Sequence, residues 1–225
     1  MKTLLITGTD TDAGKTVLTT SLAAYWQTFM LPKSLGLMKL MQTGVGDREL
    51  YQQMFANSSA IELVTPLSFT APLAPPIAAI KEGKEIDLSI VWQALNSLQQ
   101  KHDFILVEAL GGLGSPVTEE LTVADLARDW RLPCLLVVPV KLGAISQAVA
   151  NVALAHQSNL DVGGIILNCS TPEAEANLDD LASVELIQSL TQTQVVGTIP
   201  YLDEPTNLEK LTQVAANLDL EWILP

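Results

Sequence analysis

The chain has 225 residues, 48% hydrophobic and 16% charged, with 12 Lys and Arg against 25 Asp and Glu and a formal net charge of −13. That balance excludes a nucleic-acid partner, whose phosphates need Lys and Arg, and the dispersed acidic charge reads as a solvated surface. Length and apolar content suit one substantial core, expected as a single domain over 1–225. No apolar stretch is long enough for a membrane span, and the first residues read as a strand rather than a signal peptide. Cys134 and Cys169 are far apart, each in or beside an apolar run. They read as reduced core residues of a cytoplasmic protein, not as a disulfide or a metal pair.

Residues 2–7, Lys-Thr-Leu-Leu-Ile-Thr, form a short apolar run that predicts a buried strand. Gly8-Thr9-Asp10-Thr11-Asp12-Ala13-Gly14-Lys15-Thr16 follows, and then a helical pattern of Val17, Leu18, Leu22, Ala23 and Trp26. Strand, glycine-bounded loop closing in Gly-Lys-Thr, then helix is the context of a phosphate-binding loop. A helix start has free backbone N–H groups and a dipole that favours negative charge. Gly14 lets the backbone approach closely, Lys15 reaches outer phosphate oxygens, and the Thr16 hydroxyl can ligate Mg²⁺. Asp12, Ala13, Gly14, Lys15, Thr16 and Val17 are therefore the expected nucleotide contacts. The usual spacing has four residues between the glycine and the Gly-Lys pair; Gly8 and Gly14 have five between them.

With that spacing, Gly-Thr-Asp-Thr-x-x-Gly-Lys-Thr over residues 8–16 resembles the N-terminal signature of dethiobiotin synthetases. This biotin-pathway family is part of a wider group of P-loop synthetases and partitioning ATPases.

Further along, Leu31-Pro32-Lys33 punctuates, 35–41 predicts a second strand, 42–47 a loop and 48–56 a short helix. Lys39, at the strand end, is either an ordinary exposed lysine or one that meets an anion. The family carries Lys-Pro-x-x-[Ser/Thr]-Gly here; Lys39, Thr43 and Gly44 match, and Leu40 replaces the proline. Asp47 is either a helix N-cap or a metal ligand. The resemblance, counted back from the next proline-rich loop, favours it over Glu49 as the family's metal aspartate. Residues 65–76 hold Pro66, Pro72, Pro75 and Pro76, which cannot continue a helix or an inner strand and predict a stiff loop. Phe69-x-x-Pro72-x-x-Pro75 is similar to the family's substrate-pocket stretch. A solvated turn at 81–85 and a helix over 87–100, capped by Asp87 or Ser89, follow.

Residues 102–108 predict a strand ending in Glu108, the place of a second Mg²⁺-directed carboxylate in P-loop enzymes. His102 reads as a surface residue at its entrance. The family continues Glu-Gly-Ala-Gly-Gly, so Ala109 and Leu110 depart from it while Gly111 and Gly112 are kept, their N–H groups expected to face an anion. A helix over 123–130 leads to a buried strand over 134–140 and then Lys141-Leu142-Gly143. The family's Lys-Leu-Gly-x-Ile matches through Ile145, but Ser146 and Gln147 replace its Asn-His beside a loop that lies at the family's dimer interface. A helix over 148–156 turns His156 to solvent. Residues 162–168 predict a strand ending in Asn168, a turn residue by pattern and the adenine-reading asparagine by resemblance. A helix over 184–191, a strand over 195–199 and a terminal helix over 208–218 complete the chain. The resemblance makes Pro200, Tyr201 and Leu202 the nucleotide-side loop.

Strands alternating with helices predict an α/β fold: a doubly wound, mostly parallel sheet with helices on both faces, of P-loop NTPase type. Ligands then gather at the carboxyl ends of the strands, where Lys15, Lys39, Glu108, Lys141 and Asn168 project. The resemblance implies an ATP- and Mg²⁺-dependent ligase that joins CO₂ or bicarbonate to a vicinal diamine, diaminopelargonic acid, and acts as a homodimer. It assigns Lys15 to the β- and γ-phosphates, Lys39 to carbamate and γ-phosphate, and Thr11 to substrate or carbamate. Thr16, Asp47 and Glu108 become the Mg²⁺ set; Thr43, Gly111, Gly112 and Lys141 join Thr11 and Lys39 in holding substrate. Two rivals remain at this point. A partitioning-type switch ATPase would carry another lysine early in the loop, and Thr9 to Asp12 has none. A related amidoligase on another substrate would fit the departures at 109–110 and 146–147.

Overall fold

β1 (Thr3–Gly8) is buried at every position, as a strand covered on both faces must be. In the computed structural model, which describes residues 2–224, it runs into α1 (Lys15–Phe29), β2 (Leu35–Lys39), the short β3 (Gln42–Thr43) and α2 (Asp47–Phe55). Met1 and Pro225, the ends of the expected 1–225 span, lie outside the described residues. Then come β4 (Ile61–Val64), β5 (Ser68–Phe69), α3 (Pro75–Glu82), α4 (Leu88–Lys101), β6 (Phe104–Gly112) and α5 (Val123–Asp129). β7 (Cys134–Pro139), α6 (Ala144–Gln157), β8 (Val162–Asn168), α7 (Pro172–Ala176), α8 (Leu178–Ala182) and α9 (Val184–Thr191) follow. β9 (Val195–Ile199), α10 (Leu208–Ala216) and α11 (Leu220–Ile223) close the described chain.

The main sheet has the order β4-β2-β6-β1-β7-β8-β9, and its described pairings are all parallel. Alternate side chains feed two cores. Leu5, Ile105 and Val107 pack on one face, and Leu4, Ile6 and Leu106 on the other with Leu18 and Leu22 of α1. This is the doubly wound α/β architecture expected from the sequence. The chain reverses its direction of travel across the sheet around β1, so the loop after β1 opens at a topological switch point, where such sheets bind ligands. No helix among the described residues is long and apolar enough to cross a membrane. Cys134 and Cys169 are buried and free, and burial pushes their thiols up to about 12 and about 11.

Several local expectations are corrected. Residues 75–82 form α3 instead of the end of a stiff loop and the start of a solvated turn. Pro75 and Pro76 stand in the first turn, where a helix needs no N–H donor and a fixed φ helps. β6 runs on through Ala109 and Leu110 to Gly112, past the expected strand end at Glu108. α6 starts at Ala144, one turn earlier than the apolar pattern indicated. β3 and β5 lie where loops were expected, and β4, α7, α8 and α11 had no expectation. Asp87, rather than Ser89, caps α4, accepting from the Ser89 N–H at 2.8 Å. His102 is mostly covered, its Nε2 2.8 Å from Glu62.

Candidate active site

The phosphate loop is shaped by two contacts that its sequence permits. Gly14 has φ of 102°, and a Cβ there would come within 2.1 Å of the Asn168 amide nitrogen. With only hydrogen in that place, Asn168 Nδ2 donates to the Ala13 carbonyl at 3.0 Å and ties the loop to the end of β8. Lys15 folds back over the same loop, its Nζ donating to the carbonyls of Asp10 at 2.9 Å and Thr11 at 2.7 Å. Burial of the ammonium pulls its pKa down to about 8, against the opposing pull of Glu108.

A charged cluster stands beside it. Parallel register sets Lys39 of β2 opposite Glu108 of β6, so sheet formation alone brings the two together. Glu108 is fully buried; its Oε1 accepts from Lys39 Nζ at 2.8 Å and from Thr16 Oγ1 at 3.0 Å, and its Oε2 accepts from the Tyr51 hydroxyl. Asp47 Oδ1 is 2.9 Å from Thr16 Oγ1, and its Oδ2 is paired with Lys39. Burial works against the Lys39 charge, but the nearby Glu108 and Asp47 carboxylates outweigh it and hold the ammonium pKa above its usual value. Burial likewise opposes ionisation of Asp47, and the Lys39 charge overcomes it, keeping that carboxyl below its usual range.

The donor set suits a hard divalent cation. Thr16 Oγ1 is within bonding distance of two carboxylates but has one proton, so it can satisfy only one of them at a time. Lys39 supplies one positive charge against the two carboxylates, leaving the cluster with an excess of negative charge. Three hard oxygen donors around that excess fit Mg²⁺. The neighbouring acid is used differently. Glu49 accepts from the Gly46 N–H at 2.9 Å and pairs with Arg48, so Glu49 caps α2 and Asp47 is left facing Thr16.

Lys15, Thr16, Lys39, Asp47 and Glu108 line a cavity of about 470 Å³ together with Thr11, Asp12, Val17, Thr43, Gly111 and Asn168. Pro200, Tyr201 and Leu202 line an adjoining hollow of about 200 Å³ that shares Val17 and Asn168 with it. A third space of about 320 Å³, walled by Pro72, Leu73, Pro75 and Pro116, opens beside Thr11 and Thr43. Three expected contacts line none of these spaces. Ala13 is wholly buried and offers its carbonyl to Asn168. A Cβ on Gly112 would approach Gly8 O within 2.9 Å, so this glycine lets β6 pass the phosphate loop. Lys141 is half exposed, with its Nζ 3.7 Å from Asp10 Oδ2. Tyr51 had no expected role. Its signal was available, because Asp47, Tyr51 and Phe55 recur every four residues on one face of α2.

An AAA domain family model matches residues 2–209. A protein of Gloeothece citriformis described as ATP-dependent dethiobiotin synthetase BioD is 63% identical over 225 residues, the whole of both chains. One of Synechocystis with the same description is 55% identical over 98% of this chain and 94% of its own. Among solved structures, the MinD cell division protein of Aquifex aeolicus superposes with a TM-score of 0.62 at 15% identity, over 100% of this chain and 99% of its own. At that identity the likeness speaks for the fold alone.

Proposed function

The chain belongs to the ATP-dependent dethiobiotin synthetase family, and from that premise we propose that its cavity closes the ureido ring of dethiobiotin. The enzyme is an ATP-dependent ligase of biotin synthesis. The observation that carries the site assignment is the convergence of Lys15, Lys39, Thr16, Asp47 and Glu108 on one cavity wall.

One amine of 7,8-diaminopelargonic acid takes up CO₂ as a carbamate. A carbamate oxygen attacks the γ-phosphorus of ATP, and ADP leaves. The second amine then attacks the carbamoyl carbon, the C–O bond to phosphate breaks, and the ring closes as the amine loses a proton. Such a sequence needs alignment and charge stabilisation more than covalent help from the protein. Lys15 can meet the β- and γ-phosphates from its place over the loop, and Thr11 stands where cavity and side space join, in reach of the carbamate. Lys39 is placed between carbamate and γ-phosphate. Gly111 and Thr43 border the diamine. The Asn168 side-chain Oδ1 and its second Nδ2–H remain for the adenine edge, with Pro200, Tyr201 and Leu202 beside it. Gly112 supports this wall by packing, and Lys141 reaches substrate only from the rim.

Thr16, Asp47 and Glu108 would hold Mg²⁺, which when bound supplies positive charge to the phosphate oxygens. Asp47→Asn should therefore raise the Mg²⁺ concentration needed for half-maximal activity, whereas Glu49→Gln should leave it unchanged. A titration with the reverse order would make Glu49 the ligand.

The homodimer, the cytoplasmic location and the single 1–225 domain belong to the same reading. Leu142 is 91% exposed at the loop that the family uses between subunits, as an interface residue would be in an isolated protomer. The reaction is tested by ADP release: it should require both diaminopelargonic acid and bicarbonate and should match ureido product one for one. ADP release indifferent to both would favour a switch ATPase.

A further inference from the structure

The main cavity and the proline-walled space beside it share Thr11, Thr43, Leu110 and Gly111. Of these, Leu110 alone brings a sizeable apolar side chain. It is partly buried, packed on the core, and directly follows the Ala109 carbonyl that accepts from Lys39 Nζ at 3.1 Å. An aliphatic group is thus held at the junction between a cavity rich in charge and a space whose wall includes Pro72, Pro75 and Pro116. Cations and carboxylates draw water into the first; Leu110 sets an apolar surface where it meets the second.

We propose that Leu110 is a positioning residue that keeps water off the phosphorylated carbamate until the second amine attacks. This rests on the reaction proposed above. The mixed anhydride has two available fates. Attack by the amine nitrogen forms the C–N bond, breaks the C–O bond to phosphate and closes the ring with loss of a proton. Attack by water at the same carbon also releases phosphate but returns the carbamate, so ATP is spent without product. Excluding water from a reactive intermediate is a recognised task of an active site, and an apolar side chain beside the reacting groups serves that task.

The test is the ratio of ADP formed to ureido product, measured at saturating diamine, bicarbonate and ATP. Wild type should give one ADP per product. Leu110→Ala should raise the ratio about twofold or more, while Leu110→Met, which keeps an apolar group of similar size, should restore it. Leu110→Val guards against a folding defect in the alanine variant, since its smaller truncation should give an intermediate ratio. A purely structural role for Leu110 would lower ADP and product together. A ratio unchanged in both the alanine and valine variants, each confirmed as folded by its thermal transition, would overturn the proposal. Wild-type protein that releases ADP without any ureido product would instead overturn the reaction reading itself, so the two failures are distinguishable.

Discussion

Replacing Lys15 with alanine should lower ATP turnover by about 10²–10³-fold, the usual cost of losing a donor aimed at developing charge. The fold should survive, because the ammonium is buried without a carboxylate in direct contact and bonds only to loop carbonyls. Burial also makes this lysine sensitive to pH. In the free protein its pKa is about 8, so it loses its proton as pH rises through that value. A polyphosphate stabilises the protonated form, and ATP binding near pH 8 should take up protons. Affinity should fall as pH rises above 8 in wild type and be nearly flat over that range in Lys15→Ala. Full turnover in a folded Lys15→Ala protein would remove Lys15 from the reaction.

Lys39→Gln should show a different pattern, with ATP still bound and single-turnover ADP formation mostly lost. The ammonium is buried between Glu108 and Asp47, where the surroundings weaken Coulomb attraction less than water does. Its charge should matter most as the γ-phosphoryl group moves to the carbamate, so the loss belongs in turnover rather than affinity. There is a structural consequence too. Removing one partner from a buried charge cluster leaves two facing carboxylates, a change that typically costs about 3–5 kcal/mol. The variant should thus melt earlier than wild type, and added Mg²⁺ should recover part of the difference. Paired measurements of nucleotide affinity and single-turnover chemistry decide the matter. Weak ATP binding with normal chemistry at saturation would make Lys39 a nucleotide anchor.

The sheet was legible because parallel strands buried on both faces are written as unbroken apolar runs. Val162–Asn168 and Val195–Ile199 have the bounds that their sequence pattern suggests. Proline obscured α3, since a rule against proline inside helices says nothing about their first turn. The apolar run of β6 stops at the acidic Glu108, yet the strand continues to Gly112, which serves close packing against the phosphate loop. β4 is a short edge strand, half-buried at three of its four positions, and too weakly patterned to stand out.

Within the site, the phosphate loop could be read locally because its ligand groups are adjacent in sequence. The Lys39–Glu108 pair could not, because strand register across 69 positions creates it. The same holds for Asn168, whose hydrogen bond to Ala13 spans 155 positions and makes an apparent turn residue a brace for the loop. Asp47 and Glu49 are equivalent by composition, and in the sequence only the resemblance favours Asp47; in the structure the direction of each carboxylate, one toward Thr16 and one onto its own helix start, separates them.

The central claim is that a carbamate oxygen attacks the γ-phosphorus beside Lys15 and Lys39. Its most direct measurement is a rapid-quench turnover with oxygen-18-labelled carbon dioxide, followed by isotope analysis of the released phosphate. Ring closure breaks the carbamoyl C–O bond, so the account predicts one labelled oxygen carried into phosphate for each ureido ring formed. Ureido product accompanied by unlabelled phosphate would contradict it, because the γ-phosphoryl group would then never have been joined to the carbamate.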